Sequence, residues 1–278
     1  MSDTDVDALG HPSPRPSDDT AGSLTAEGPT VQELVDTVVA VHGPSRVVAE
    51  LTHYMTHARR ARIEAALASR VDCVQIAVED PFDPHNAAAV VRTAEGLGLS
   101  TVHLVRPSKK IKAAHGVTMG THRWIDVVEH RDIGHFFDTV RCGDGLVAGA
   151  CVDGEASLAE VAALDADRPL VLLLGNEHAG LGPEARAGCD VRFRVPIWGM
   201  VESYNLSVCA ALCIWEVLGS RRRAWGRDGD ASPDELARRR ALAYASSVDP
   251  RLVRGLLMPL WTAEPVVVTG GGGEEGAR

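Results

Sequence analysis

The sequence predicts an α/β protein whose mostly parallel β-sheet is covered by helices on both faces. Short apolar runs of strand type alternate with segments of helical spacing between residues 71 and 223. Runs such as 71–79 and 170–174 are bounded by turn residues, as is typical of buried strands. With 278 residues, of which 45% are apolar, the chain is long enough for one catalytic domain with appendages.

The chain begins its ordered part with two predicted helices. Apolar residues at helical spacing start at Val31, are interrupted at Gly43-Pro44, and resume over 47–69. The predicted strands are 71–79, 101–105, 124–128, 146–152, 170–174 and 191–195, and the helices between them are 86–98, 131–141 and 183–188.

A long helix is predicted over residues 206–223. Val208, Leu212 and Trp215 form one apolar stripe on it, and arginines 221–223 lie at its negative C-terminal end. One or two further helices cover 233–257. The domain prediction is therefore a disordered tail (1–29), a basic helical segment (30–70), the α/β domain (71–223), a helical extension (224–261) and a second disordered tail (262–278).

Charge and cysteine content exclude several classes of protein. A net charge of −10 argues against nucleic-acid binding over the whole surface, although arginines cluster at 59–62, 221–223 and 238–240. No segment approaches the run of about 20 apolar residues that a membrane span requires, and the polar N-terminus is unlike a signal peptide, so we expect a cytoplasmic protein. The six cysteines lack zinc-like spacing, and we expect neither a metal site nor a disulfide.

The loop after the first predicted strand lacks the glycine pattern of a dinucleotide-binding protein. Instead, polar residues follow three strands, at 83–93 (DPHNAAAVVRT), 174–180 (LGNEHAG) and 195–207 (VPIWGMVESYNLS). Open parallel sheets bind their ligands at the carboxyl ends of strands. These three segments are therefore the candidate site.

Together, the three segments resemble the three motifs of the SpoU branch of the SPOUT methyltransferases, over roughly Tyr54 to Arg223. Within this branch the chain is most similar to the TrmH-type transfer RNA guanosine-2′-O-methyltransferases, because of residues 199–208, residues 120–124 and the arginine-rich helix before the first strand. It departs from the usual third motif, Ser-Leu-Asn-Val-Ser, at Tyr204 and Leu206.

The resemblance implies a fold that periodicity does not predict, since knots are rare. The C-terminal part of the sheet would be threaded into a trefoil knot that binds S-adenosylmethionine. It also implies a homodimer formed through the knotted region, for which the stripe of the 206–223 helix is a suitable interface, with core packing of that stripe as the alternative.

The resemblance further implies an S-adenosylmethionine-dependent enzyme that methylates a ribose 2′-hydroxyl of transfer RNA, with guanosine 18 of the D-loop as the suggested nucleotide. A ribosomal RNA 2′-O-methyltransferase is one alternative, although such enzymes usually carry an additional RNA-binding domain ahead of the catalytic one. A catalytically idle RNA-binding member is the other, against which the complete set of catalytic residues argues.

The catalytic residues that the resemblance implies are Arg92, Asn86, Glu177, Ser203 and Asn205. We expect Arg92 to bind a substrate phosphate. The phosphate would help to accept the proton, because a guanidinium group keeps its own protons and cannot act as the base. Helix capping is the alternative role for the asparagines and Ser203, and a surface carboxylate at a helix N-terminus is the alternative for Glu177.

Cofactor contacts are expected mainly from backbone groups, at Gly149, Gly175, Asn176, Val195, Ile197, Gly199, Met200 and Tyr204. RNA contacts are expected from Arg59, Arg60, Arg62, Arg70, Arg123, Arg221, Arg222 and Arg223. These would be phosphate contacts, which position RNA without reading its sequence, and solvated helix faces are the alternative.

Overall fold

The computed structural model describes residues 29–106 and 124–262. Arg123 and nearly all of the two predicted tails lie outside the described residues. Among the described helices, none has the length and apolarity needed to cross a membrane. Within residues 29–106 and 124–262, no group of three or more potential metal ligands is placed to hold an ion.

The core of the fold is a seven-stranded sheet in which every pairing is parallel, with the order β3-β2-β1-β6-β4-β7-β5. The strands are β1 (Val74–Glu79), β2 (Thr101–Val105), β3 (Asp126–His130), β4 (Leu146–Ala150), β5 (Ala156–Ser157), β6 (Leu170–Leu174) and β7 (Val191–Arg194). The predicted fold class is confirmed. Strand β5 was missed because two residues carry no periodic signal.

Ten helices are described. They are α1 (Val31–His42), α2 (Pro44–Thr52), α3 (His57–Ala68), α4 (Pro84–Leu97), α5 (Ile133–Cys142), α6 (Leu158–Ala162), α7 (Pro183–Gly188), α8 (Leu206–Trp225), α9 (Pro233–Ser246) and α10 (Pro250–Thr262). The second N-terminal helix of the prediction is in fact two helices. The Thr56 side chain accepts a hydrogen bond from the Arg59 amide and starts α3 as a new helix.

Helices cover both faces of the sheet, as predicted. Ile76 and Val78 of β1 belong to the core formed with α4, α6 and α8, whereas Ala77 between them belongs to the core formed with α5 and α7. Successive residues of a strand point to opposite faces, so one apolar strand contributes to both cores.

The two ends of the described chain pack together into one helical bundle. Helices α1, α2 and α3 share a third apolar core with α9 and α10, which includes Leu34, Leu51, Ile63, Tyr244 and Leu257. The segments predicted as 30–70 and 224–261 therefore form a single unit beside the sheet.

The apolar stripe predicted on the long helix is on its outer face. Val208, Leu212 and Trp215 are 47%, 41% and 69% exposed, whereas the opposite face of α8 is buried against the sheet and α4. The alternative that the stripe packs in the core is therefore wrong for the single chain.

Candidate functional site

The three motif segments meet at one edge of the sheet, because the carboxyl ends of β1, β6 and β7 lie at the same edge in a parallel arrangement. The buried Glu79 links the end of β1 to the loop after β6. Its Oε2 accepts a 2.8 Å hydrogen bond from the Gly182 amide in the loop after β6.

Four side chains form a hydrogen-bonded chain across this edge. The Asn205 amide nitrogen donates to Oδ1 of Asn86 over 3.0 Å, and the Asn86 amide nitrogen donates to Oε1 of Glu177 over 2.9 Å. At the other end, the Ser207 hydroxyl donates to Oδ1 of Asn205 over 2.7 Å. Since Asn86, Glu177 and Asn205 come from three different motifs, these hydrogen bonds fix the three segments relative to one another.

Glu177 is held as a carboxylate. Its partial burial opposes ionisation, but hydrogen bonds from Asn86 and from the Phe82 and Asp83 amides outweigh that effect and lower the pKa of the carboxyl. Glu177 therefore connects the loop after β6 to the loop after β1 and retains its negative charge at neutral pH. It is more than the surface carboxylate of the alternative interpretation.

The capping alternatives are resolved differently for the two asparagines. Asp83, rather than Asn86, caps α4, because its side chain accepts from the His85 amide. Asn205 caps α8 by accepting from the Ser207 amide and also contacts Asn86. Asn86 therefore does not cap α4, whereas Asn205 caps α8 and also donates a hydrogen bond to Asn86.

A cavity of about 510 Å³ opens beside these hydrogen-bonded side chains. We call it the carboxyl-edge cavity, and it is lined by the ends of β4, β6 and β7 with the loops that follow them. Of the expected cofactor contacts, it is lined by Gly175, Asn176, Val195, Ile197, Gly199 and Tyr204, together with the expected catalytic residues Ser203 and Glu177. The motif segments therefore enclose a space of ligand size.

Two expected cofactor contacts do not line the carboxyl-edge cavity. Gly149 is buried in β4, where a Cβ atom would lie 2.5 Å from the Cys189 sulfur, so its smallness serves packing. Met200 is fully exposed. Both residues have sequence neighbours that line the cavity, and sequence spacing alone does not show which positions face the cavity.

The walls of the carboxyl-edge cavity are shaped by backbone contacts. A Cβ atom at Gly175 would lie 2.1 Å from the Gly180 carbonyl carbon, so only glycine allows this close approach. The Asn176 side chain donates to the Asp80 carbonyl over 2.6 Å and accepts from the His178 amide over 2.9 Å. The Tyr204 hydroxyl donates to the Pro196 carbonyl over 3.1 Å, which closes the loop after β7.

Two charged residues of this cavity, Arg194 and Glu202, were not predicted from the sequence. Among the described residues that line it, Arg194 is the one cation, and Glu177 and Glu202 are the carboxylates. The available signal was that Glu202 lies within the third motif segment and that Arg194 directly precedes it.

Arg92 lies on α4, six residues after Asn86. It is exposed on α4, about 9 Å along the helix and about 120° around it from Asn86, and it is not among the described residues that line the cavity. Of the five expected catalytic residues, hydrogen bonds join Asn86, Glu177 and Asn205, Ser203 lines the cavity with Glu177, and Arg92 is exposed on α4.

Three arginines expected to contact RNA have structural roles instead. Arg70 is 5% exposed and donates to the Glu95 carboxylate and the Leu99 carbonyl, each over 2.8 Å. Arg221 is 2% exposed and donates to the Asp165 carbonyl, and Arg222 donates to the Ser69, Leu97 and Asp228 carbonyls. Buried or engaged guanidinium groups are unavailable to phosphates, so these three assignments are corrected. Arg59, Arg62 and Arg223 are exposed, and Arg60 is half-buried.

Comparison with known proteins adds independent information. The family model described as the SpoU rRNA Methylase family matches residues 74–215, which is slightly more than half of the chain. The tRNA (guanosine(18)-2′-O)-methyltransferase of Escherichia coli K12 is 33% identical over 172 residues, which cover 61% of this chain and 73% of that protein. A protein of the same name from Thermus thermophilus is 32% identical over 170 residues, covering 61% and 86%.

The fold has a counterpart among solved structures. The crystal structure of the A. aeolicus TrmH/SpoU tRNA modifying enzyme superposes with a TM-score of 0.59 at 23% identity, over 69% of this chain and 98% of that one. This likeness concerns the fold.

Proposed function

This chain belongs to the SpoU rRNA methylase family, and from that premise we propose that it transfers a methyl group from S-adenosylmethionine to a ribose 2′-hydroxyl of RNA. The substrate we propose is guanosine 18 in the D-loop of transfer RNA, the position in the names of the bacterial relatives. The observation that carries the proposal is the chain Asn205–Asn86–Glu177 beside a ligand-sized cavity.

The carboxyl-edge cavity fits the cofactor in size and charge. When bound, S-adenosylmethionine supplies a methyl group activated by a sulfonium. It carries two positive charges and one negative charge, and the described charged residues of the cavity are two carboxylates and one arginine. We therefore assign the carboxylate of the cofactor to Arg194 and its cationic groups to the side of Glu177 and Glu202.

We propose separate roles for the catalytic residues in the reaction with RNA. We propose that Arg92 binds a substrate phosphate rather than the cofactor, because it is exposed on α4 and is not among the described residues that line the cavity. Because a guanidinium group has hydrogen-bond donors and no acceptor, the proton of the hydroxyl passes to the substrate phosphate that Arg92 binds. Asn86 and Asn205 hold the motif loops in register, and the charged Glu177 can accept a hydrogen bond from the reacting hydroxyl.

We further propose a homodimer in the cytoplasm, with the knotted threading of the C-terminal strands that the family resemblance implies. The exposed stripe of Val208, Leu212 and Trp215 on α8 supports the dimer, because an exposed apolar patch on a single chain marks an interaction surface. Its position on the helix that follows the third motif would place the interface next to the site.

The test is incubation of the purified protein with unmodified transfer RNA transcripts and S-adenosylmethionine, followed by nucleoside mass spectrometry. We expect 2′-O-methylguanosine that maps to the D-loop. Activity on ribosomal RNA fragments alone would contradict the proposed substrate and retain the chemistry. Inactivity on every RNA would contradict the methyltransferase assignment.

A further inference from the structure

A second cavity lies at the opposite edge of the sheet. Its volume is about 440 Å³, and it is enclosed by α3, α9 and the amino ends of β2 and β3. We call it the amino-edge cavity. Among the described residues that line it are five arginines and two carboxylates, in a protein whose net charge is −10. The residues that line it therefore carry a net positive formal charge, whereas those that line the carboxyl-edge cavity carry a net negative one.

The deeper part of the amino-edge cavity is held by ion pairs. Arg70 contacts Glu95 over 2.8 Å, and Arg239 contacts Asp72 over 2.6 Å. Arg238 contacts Glu235 over 3.0 Å. These arginines are neutralised by neighbouring carboxylates, so they build the cavity rather than attract a ligand.

Two arginines at the rim of the amino-edge cavity are accessible to a ligand. Arg59 and Arg62 are exposed on α3, and neither forms an ion pair with a carboxylate in the described part of the chain. The Arg59 guanidinium lies over the Trp124 ring, 5.3 Å from its centroid. A cation–π pair of this kind presents a flat, cationic platform.

Such a platform beside a second guanidinium is suited to a nucleotide. Unpaired bases stack on aromatic rings and on guanidinium planes, and arginine binds phosphate with two donors. We propose that the amino-edge cavity binds an unpaired nucleotide of the RNA substrate, with the base stacked on the Arg59–Trp124 pair and a phosphate bound by Arg62. This inference rests on the RNA substrate of the proposed function.

The location of the amino-edge cavity defines its role. Strands of five or six residues span roughly 17–20 Å, so a nucleotide bound here is remote from the ribose at the carboxyl edge. The site therefore positions the RNA and takes no part in the reaction. Its loss affects RNA affinity without affecting the cofactor.

The experiment measures the affinity of an unmodified transfer RNA transcript by fluorescence anisotropy at several salt concentrations. We expect Trp124→Leu to weaken binding at least about fivefold, and Trp124→Phe, which keeps an aromatic face, to bind nearly as the native protein does. We expect Arg62→Gln to reduce the slope of log affinity against log salt by about 0.7 to 0.9. Arg251→Gln is the matched control, because Arg251 is exposed on α10 of the same bundle and does not line the cavity.

Calorimetric titration with S-adenosylhomocysteine shows that each variant is folded, since its affinity should be unchanged. Native RNA binding and salt dependence in both Trp124→Leu and Arg62→Gln would overturn the proposal. If the native protein methylates no RNA and these variants still lose RNA affinity, the proposed function fails and this site stands.

Discussion

The two edges of the sheet use polar residues in different ways. At the carboxyl edge, neutral amides and one carboxylate join three loops through Asn205, Asn86 and Glu177, beside a cavity whose described charged residues carry a net negative charge. At the amino edge, Arg70 and Arg239 form ion pairs that connect the helical bundle to the α/β domain. The residues that line the cavity there carry a net positive formal charge. These charges agree with the proposals that the first edge binds a cationic cofactor and the second binds an anionic polymer.

The difference shows that the number of arginines in a segment does not determine how many can bind RNA. Arg59 and Arg62 precede Arg70 on the same stretch of chain, yet the first two are exposed and the third is 5% exposed. Burial and the nearest acceptor decide the role of each guanidinium. The following predictions test this division between the edges.

The largest effect is expected for Arg92→Lys. Lysine keeps the charge but loses the bidentate grip on phosphate, so turnover should fall by about 100- to 1000-fold while affinity for S-adenosylhomocysteine stays native. Single-turnover methylation and calorimetry measure the two quantities. Loss of cofactor binding would instead place Arg92 in the carboxyl-edge cavity.

The second prediction concerns a polar cluster between the edges. His103 Nδ1 lies 2.8 Å from His130 Nε2, His103 Nε2 lies 2.7 Å from Gln75 Oε1, and His130 Nδ1 lies 3.2 Å from Nδ1 of His135. Burial, followed by the neighbouring His130, lowers the pKa of His103 to about 4, and burial lowers the pKa of His130. The folded protein thus binds fewer protons than the unfolded chain.

Stability from these histidines is therefore complete above about pH 6.5, and it decreases as the pH falls toward 4, by on the order of 3 kcal/mol for His103. Urea unfolding from pH 7 to pH 4 measures this. His103→Gln should flatten the decrease, and His53→Gln, at an exposed position, should not. An equal decrease in both variants would show that other groups control acid stability.

Arg70→Met tests the structural use of arginine at the amino edge. It leaves Glu95 and the Leu99 carbonyl without their donor, so the free energy of unfolding should fall by about 2 kcal/mol. The salt dependence of RNA binding by the folded variant should stay native. A native unfolding midpoint with a reduced salt slope would return Arg70 to the RNA-contacting set.

Arg194→Met tests the charge assignment at the carboxyl edge. Affinity for S-adenosylhomocysteine should fall by about tenfold, because a charge-assisted hydrogen bond is lost. Affinity for 5′-methylthioadenosine, which lacks the amino-acid group, should remain unchanged. Equal weakening of both ligands in calorimetry would mean that Arg194 shapes the cavity rather than binding the carboxylate.

Trp215→Glu tests the exposed stripe of α8 as a dimer interface. A charge at the position of a large exposed side chain should raise the dimer dissociation constant by at least about tenfold in sedimentation velocity. Trp261→Glu is the control, since Trp261 is exposed on the bundle. A native protein that is monomeric at micromolar concentration would exclude the dimer.

Much of the fold and the site was predictable from the sequence. Strands such as Leu170–Leu174 and the helix that begins at Leu206 follow from local periodicity and capping, and the polar ends of three strands pointed to the carboxyl edge. Residues 156–162 were missed, because a two-residue strand and a single turn of helix leave little periodic signal.

The parallel α/β class, the order of the elements and the segments that form the site follow from the amino-acid sequence alone, because they depend on local pattern and on the edge at which parallel strands end. The folded structure was needed to show that the two ends of the described chain form one bundle, that Gly149 serves packing, and that Arg70 and Arg221 are buried. Those outcomes depend on contacts between residues far apart in the chain, which a local pattern does not contain.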